Sequence, residues 1–329
     1  MAIIVTGVAG FIGSQLARQL LARGAHVVGI DNLNDYYSPD LKRDRLADIA
    51  HPNLVFHQVD FADHVALEEA LGGVEIDSIV HLGAQPGVRY SLINPRAYVQ
   101  SNLAGHLNML EIARQRAVRQ MVYASSSSVY GANESLPFRV TDRVDHPISL
   151  YAATKKADEL MSEAYAHLYR VPLTGLRFFT VYGRWGRPDM AIWMFAERIL
   201  KGLPIPVYHE GNMRRDFTHV DDVVAGLLAA LDQPVRDDDL EKAGGSFAPH
   251  RLYNIGNHRS EPLMRLIALI EEACGRTAQI DFQPLQPGDV LETYADIEDI
   301  RRDLGFHPAT PIDMGVPDFV AWLRAYRGL

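Results

Sequence analysis

The chain has 329 residues, 47% hydrophobic and 22% charged, with a formal net charge of −9 at pH 7. That is a globular mixture, long enough for one large or two interlocked domains, and it excludes a disordered chain. No basic tract stands out and no apolar run reaches the ~18 residues of a membrane span, so neither a nucleic-acid partner nor a membrane partner is expected. The single cysteine, Cys274, excludes an intrachain disulfide and suits a reducing, cytoplasmic setting. It lies in an apolar helical run and reads as structural rather than nucleophilic. The start, MAIIVTGVAG, carries no basic region or cleavage-like pattern, so no secretory signal is expected and the sequon at Asn133 is set aside. The 13 histidines are scattered without an H-E-x-x-H or Cys–His cluster, so no metal is expected.

In chain order, residues 3–6 read as a strand and 11–23 as a helix, with Gly7, Gly10 and Gly13 between and within them. The spacing G-x-x-G-x-x-G at a strand-to-helix turn lets a pyrophosphate approach the backbone and the helix N-terminus. A second strand, 26–30, is followed by Asp31, an acid placed to accept hydrogen bonds from an adenosine ribose and to repel a 2′-phosphate. NAD is therefore expected rather than NADP. A third strand, 54–59, precedes Asp60-Phe61, placed to contact adenine; helix 63–71 and strand 78–81 follow. A long helix is predicted over 94–115, then a strand over 120–124 leading into the serine run Ser125 to Ser128. Ligand sites of doubly wound sheets lie at such strand C-termini, so Ser126 can offer a hydroxyl to a reacting oxygen. The helix 151–169 opens on Tyr151 and Lys155, four apart and on one face, where the ammonium can stabilise a phenolate that accepts a hydroxyl proton. A strand over 172–179 completes an alternation that implies an α/β fold with a parallel, doubly wound sheet. After about residue 180 the rhythm breaks into loops rich in Gly, Pro and Arg, with helices only at 221–231 and 263–274 and a charged, mobile surface loop expected at 237–248.

The chain carries TGVAGFIG, HLGA, SSSSVYG, YAATK and RDFTHVDD, and with them it resembles the extended short-chain dehydrogenase/reductases, in the NAD-dependent epimerase/dehydratase group, over essentially its full length. The segments DNLNDYY (31–37), GVRYS (87–91), YGRWGRPDM (182–190) and QPGDV (286–290) are most similar to those of the UDP-glucuronate 4-epimerases. The resemblance implies a Rossmann domain over 1–180, with 218–257 packing back onto it, and a smaller mixed α/β domain over 181–329 that binds the nucleotide sugar. It implies a Ser126–Tyr151–Lys155 triad. It implies NAD contacts from Gly7, Gly10, Phe11, Ile12, Gly13, Asp31, Asn32, Asp60, Phe61, Leu82, Gly83, Ala84, Gln85, Asn102 and Phe178, with Lys155 also at the nicotinamide ribose. Arg215 is implied at the substrate diphosphate, and Arg187 and Asp289 are weaker candidates for the diphosphate and uridine ribose. Ser127, Ser128 and Thr180, with Arg89, are suited by type to hold a sugar carboxylate.

The implied reaction is 4-epimerisation of UDP-glucuronate to UDP-galacturonate through a transient 4-keto sugar, by a homodimer paired through helices 94–115 and 151–169. Related dehydratases place an Asp–Glu pair, and related decarboxylases a Glu, where this chain has Ser127 and Ser128. UDP-galactose 4-epimerases usually have an arginine at the position of Gln286, which disfavours that relative. A non-catalytic NAD(H) sensor is disfavoured because Ser126, Tyr151 and Lys155 are all retained.

Overall fold

Runs such as Ala2–Thr6 and Gln120–Ser126 are apolar without alternation because both of their faces are covered. The computed structural model describes residues 1–286 and 288–329; Pro287, within the QPGDV segment, lies outside the described residues. Seven strands form the main sheet: β1 (Ala2–Thr6), β2 (Val27–Asp31), β3 (Leu54–Gln58), β4 (Ile76–His81), β5 (Gln120–Ser126), β6 (Leu173–Phe178) and β7 (His250–Ile255). Their order is β7-β6-β5-β4-β1-β2-β3, and every pair is parallel.

The helices are α1 (Phe11–Ala22), α2 (Pro39–Asp48), α3 (His64–Ala70), α4 (Gly105–Gln115), α5 (Leu150–Tyr169), α6 (Ala191–Leu200), α7 (Val220–Asp232), α8 (Leu263–Cys274) and α9 (Ile312–Arg327), with a shorter turn of helix at Glu298–Leu304. Successive strand residues point to opposite faces. Val5, Val80, Val122 and Leu176 therefore pack with Leu16 of α1 and Leu227 of α7, while Ile4, Ile79 and Met121 pack with Leu67 of α3 and Leu110 of α4. A separate core of Ile192, Trp193, Ile205, Phe217, Leu266, Ile270 and Phe319 lies between α6, α8 and α9. Around it run three two-stranded pairings: Thr180–Tyr182 with Phe217–His219, Ile205–Tyr208 with Ile280–Gln283, and Arg214–Arg215 with Glu261–Pro262. The class is thus a doubly wound parallel sheet joined to small mixed elements, as the alternation predicts.

The helix predicted over 94–115 is present as unbroken helical backbone over 95–115, but it is not regular throughout. One α-helical turn at Pro95–Tyr98 leads into a π-helical stretch at Val99–Ala104, which continues as α4. The wide turn serves two contacts: Asn102 reaches back to the Gln85 backbone, and Gly105 lies against Phe61, whose ring would be 2.3 Å from a Cβ at that position. The segment 237–248 is irregular but tied, by Lys242 N–H to the Ser246 carbonyl (2.7 Å) and by an Arg170–Asp237 ion pair. Cys274 is buried on α8, and burial pushes its thiol up to about 11. No helix among the described residues is long and apolar enough to cross a membrane, and no group of metal-ligating side chains is found among them.

Candidate active site

Strand order reverses at β1, and beyond the strand ends at that point lies the crevice where open parallel sheets take ligands. Gly7 there has φ +69°, and a Cβ on it would lie 2.8 Å from the Gly83 nitrogen. A Cβ at Gly10 would lie 2.8 Å, and one at Gly13 2.1 Å, from the Gly7 carbonyl oxygen, so only glycine allows this turn to close against α1. Gly10 is the N-cap of α1 and supplies no capping side chain, which leaves the helix end open to an anion.

Asp31 ends β2 and accepts from the Ala9 amide (3.2 Å) and the Leu33 amide (2.9 Å). Burial raises its carboxyl pKa, against the opposing pull of Lys42. Asn32 donates to Asp60 (3.2 Å). Beside them the 82–85 loop is held from below. The Gly83 amide donates to Thr6 Oγ1 (3.1 Å), which lies 2.7 Å from His81 Nδ1; burial pushes His81 down to about 3, so it is neutral. Asn102 completes the hold, accepting from the Gln85 amide (2.8 Å) and donating to the Gln85 carbonyl (3.2 Å) and Thr154 Oγ1 (3.0 Å).

Ser149 caps α5 by accepting from the Ala152 amide (3.1 Å), and so sets where Tyr151 and Lys155 start along the crevice. Ser126 Oγ accepts from the Ser128 amide and donates to Ser128 Oγ, both at 3.1 Å. Lys155, 3% exposed, donates from Nζ to the Ala124 carbonyl (2.9 Å) and to Asp158 (3.0 Å).

One cavity brings together Gly7, Gly10, Phe11, Ile12, Gly13, Asp31, Asn32, Phe61, Leu82, Gly83, Ala84, Ser126, Tyr151, Lys155 and Phe178. Asp60, Gln85 and Asn102 stand behind its wall. A second cavity adjoins it and shares Tyr36, Val181, Arg187 and Met190 with it. Arg89, Thr180, Arg187, Arg215 and Asp289 line the second; Ser127 and Ser128 line neither, lying on the 3-10 turn Ser127–Tyr130.

The three arginines differ in their ties. Arg89 pairs with Asp289 (2.8 Å) and stacks over Tyr208 (4.2 Å). Arg187 is forked onto Asp189 (3.0 and 2.5 Å), which also accepts from Tyr36 Oη (3.0 Å). Arg215 donates only to the carbonyls of Arg214 (2.8 Å) and Leu291 (3.1 Å), and among the described residues no carboxylate reaches it; burial lowers its pKa. The loop bearing Arg187 is anchored at Trp185, which has φ +62°, an arrangement costing a non-glycine residue about 1–2 kcal/mol. Arg45, wholly buried on α2, sustains it with bonds to the Trp185 carbonyl (2.7 and 3.1 Å) and the Gly186 carbonyl (2.8 Å).

The NAD dependent epimerase/dehydratase family model matches residues 3–256. The chain belongs to that family. It is an NAD-dependent epimerase-family enzyme. It is similar to the protein CapI of Staphylococcus aureus, 48% identical over 331 residues and covering 99% of each chain. It is similar also to the probable UDP-glucuronate 4-epimerase of Rhizobium meliloti (strain 1021), 45% identical over 98% of this chain and 96% of that one. Among solved structures it matches a UDP-glucuronic acid 4-epimerase from Bacillus cereus in complex with UDP-glucuronic acid and NAD, with a TM-score of 0.86 and 29% identity over 99% of this chain and 100% of that one. The family's cofactor fits the first cavity: three glycines that no larger residue can replace, an uncapped helix N-terminus, and a carboxylate at the end of β2.

Proposed function

We propose that this enzyme inverts C4 of UDP-glucuronate to give UDP-galacturonate. The carrying observation is the make-up of the first cavity. Asp31 is the sole carboxylate side chain lining it among the described residues, and Ser126, Tyr151 and Lys155 line it as well. Such a site has a tyrosine to carry a proton but no second acid for elimination or decarboxylation. The full-length likeness to UDP-glucuronate 4-epimerases supports the substrate.

In this reading Tyr151 takes the proton of the C4 hydroxyl and later returns it, while Ser126 orients the oxygen. Bound NAD supplies the hydride acceptor and donor at C4. The glycine turn and Asp31 hold it, with Lys155 at its ribose. Arg215, which no carboxylate among the described residues reaches, anchors the substrate diphosphate while the 4-keto ring turns over. Thr180, in the second cavity, holds the sugar carboxylate away from the alignment that would release carbon dioxide; Ser128 acts only through its bond to Ser126. The test is proton NMR of UDP-glucuronate with catalytic NAD. UDP-galacturonate without net NADH is expected, and Tyr151→Phe should abolish it. A UDP-pentose with carbon dioxide would make the enzyme a decarboxylase. Turnover of UDP-glucose alone would keep the proton carrier and overturn the substrate.

We also propose a homodimer. Val99, Leu107, Leu160 and Leu168 leave apolar side chains 41–66% exposed along α4, α5 and the turn before α4. Sedimentation equilibrium should give a dimer that Leu160→Glu dissociates.

A further inference from the structure

We infer that Asp158 is a positioning residue for the proton transfer at Tyr151, acting as the buried counter-ion that pins the Lys155 ammonium. The inference rests on Tyr151 being the proton carrier. Residues 151, 155 and 158 are spaced i, i+4, i+7 and form one stripe of α5. Lys155 Nζ is fixed between the Ala124 carbonyl (2.9 Å) and Asp158 Oδ2 (3.0 Å), which leaves one of its three protons directed elsewhere. Asp158 is 1% exposed, and its other oxygen, Oδ1, has no partner among the described residues. A buried carboxylate with an unused oxygen is costly, and this one is placed against a single group of the reaction.

The other titratable groups around the pair are neutral or ion-paired. From β4, His81 is neutral, pushed down to about 3 by burial; from α4, burial likewise holds His106 neutral. From β5, burial raises Tyr123 and keeps it protonated. On α5 itself Glu159 is paired with Arg177 of β6 (2.8 and 2.9 Å) and with Lys156 (3.3 Å). Tyr98, whose ring centroid is 6.0 Å from that of Tyr151, is held protonated chiefly by burial. Lys155 and Asp158 therefore set the local field between them. Burial raises Asp158 to about 6, so the pair is complete above that pH.

The test is Asp158→Asn, which keeps the shape and an acceptor but removes the charge. Loss of a negative charge favours the deprotonated form of every neighbour, so both limbs of the kcat pH profile should move toward acid. Seven residues along α5 is about 10 Å, and one charge at that range, with an effective dielectric near 20, gives a shift of about one pH unit. A purely structural role would lower kcat and leave both limbs in place, and that result would overturn the inference. The second readout needs no turnover. In the NAD-loaded protein the near-ultraviolet tyrosinate band, taken as a difference against Tyr151→Phe, should appear at lower pH in Asp158→Asn. An unmoved band would overturn the inference equally. Asp158→Ser, which leaves space for a water, must shift the same way if the asparagine variant folds poorly. The two readings fail separately. Wild-type turnover by Tyr151→Phe removes the proton carrier itself, whereas an inactive Tyr151→Phe with unmoved limbs in Asp158→Asn removes only the counter-ion.

Discussion

The two cavities are built from different materials. The first is built from backbone: a glycine turn, a helix end, a loop held by Thr6 and Asn102. The second takes its charge from long side chains, with Arg89 and Arg187 restrained by acids and Arg215 by carbonyls. A site made of backbone cannot be changed without changing the fold beneath it. A site made of side chains can be altered residue by residue on an unchanged frame. Substitutions on each side should therefore fail in different ways.

The largest effect is expected under the first cavity. Glu159 and Arg177 form a buried fork whose carboxylate also accepts from Ser125 (2.7 Å). Burial works against the Glu159 charge, yet Arg177 outweighs it and holds the carboxyl below its usual range. Arg177→Met should cost about 3–5 kcal/mol in urea unfolding, because it removes both forked bonds of a buried carboxylate and leaves it, as counter-charge, only the longer contact to Lys156. The sign in pH follows: Glu159's pKa is lowered by folding, so its contribution is full above the unfolded carboxyl range and is lost as pH falls through the folded value. A loss under about 1 kcal/mol would show that the frame does not depend on this pair. Next comes Gly13→Ala, whose Cβ would meet the Gly7 carbonyl at 2.1 Å. Overpacking of about 2–3 kcal/mol absorbed by the turn corresponds to roughly 100-fold weaker NADH binding by fluorescence titration. Unchanged affinity would mean the turn is not the cofactor's seat.

On the other side, Arg215→Ala should raise the KM for the UDP-sugar about 10- to 100-fold, the worth of a charge-assisted contact, with NADH affinity unchanged. If NADH binding fell by the same factor, the two cavities would not be separable. The unfolding midpoint should stay near wild type, in contrast to Arg177→Met.

This division explains what the sequence reveals. The parallel sheet is legible because doubly buried strands leave unbroken apolar runs, and the glycine turn because no other residue fits. The serine run is legible only as a run. In the structure Ser125 and Ser126 both line the cavity, but Ser125 gives its hydroxyl to Glu159 while Ser126 bonds Ser128, a sorting fixed by where β5 ends and the 3-10 turn begins. Helix α2 is missed because its sequence, PDLKRDRLAD, has little apolar periodicity; its burial runs through Lys42 and Arg45, residues a pattern reading sends to the surface. Arg187 reads as a phosphate ligand, but its forked tie to Asp189 depends on a loop geometry that Arg45 and Trp185 impose from a distance. The same holds for RDFTHVDD. Asp216 accepts from the amides of Asn257 (2.6 Å) and Ala295 (3.1 Å), and Asp222 from those of Ala309 (3.0 Å) and Thr310 (2.9 Å). Those carboxylates stitch loops far away in sequence, and of the motif's charged residues only Arg215 lines the cavity.

The smallest effect should arise at the seam, and it bears most directly on whether the halves act separately. Tyr36 comes from the loop after β2, on the cofactor side, and its hydroxyl donates to Asp189 on the substrate side. Burial, with Asp189 beside it, raises that hydroxyl to about 12, so it remains a donor across the working range. Tyr36→Phe removes one bond to a charged acceptor and leaves the ring against Tyr90 (4.9 Å). Because the bond is partly exposed, its worth is about 1 kcal/mol, or roughly fivefold. Because Tyr36 lines both cavities, that factor should divide between faster NADH release in stopped-flow fluorescence and weaker UDP binding by calorimetry. A change in one ligand alone would make Tyr36 a wall of that cavity. A change in both would make the Tyr36–Asp189–Arg187 bridge the place where a backbone site and a side-chain site become one.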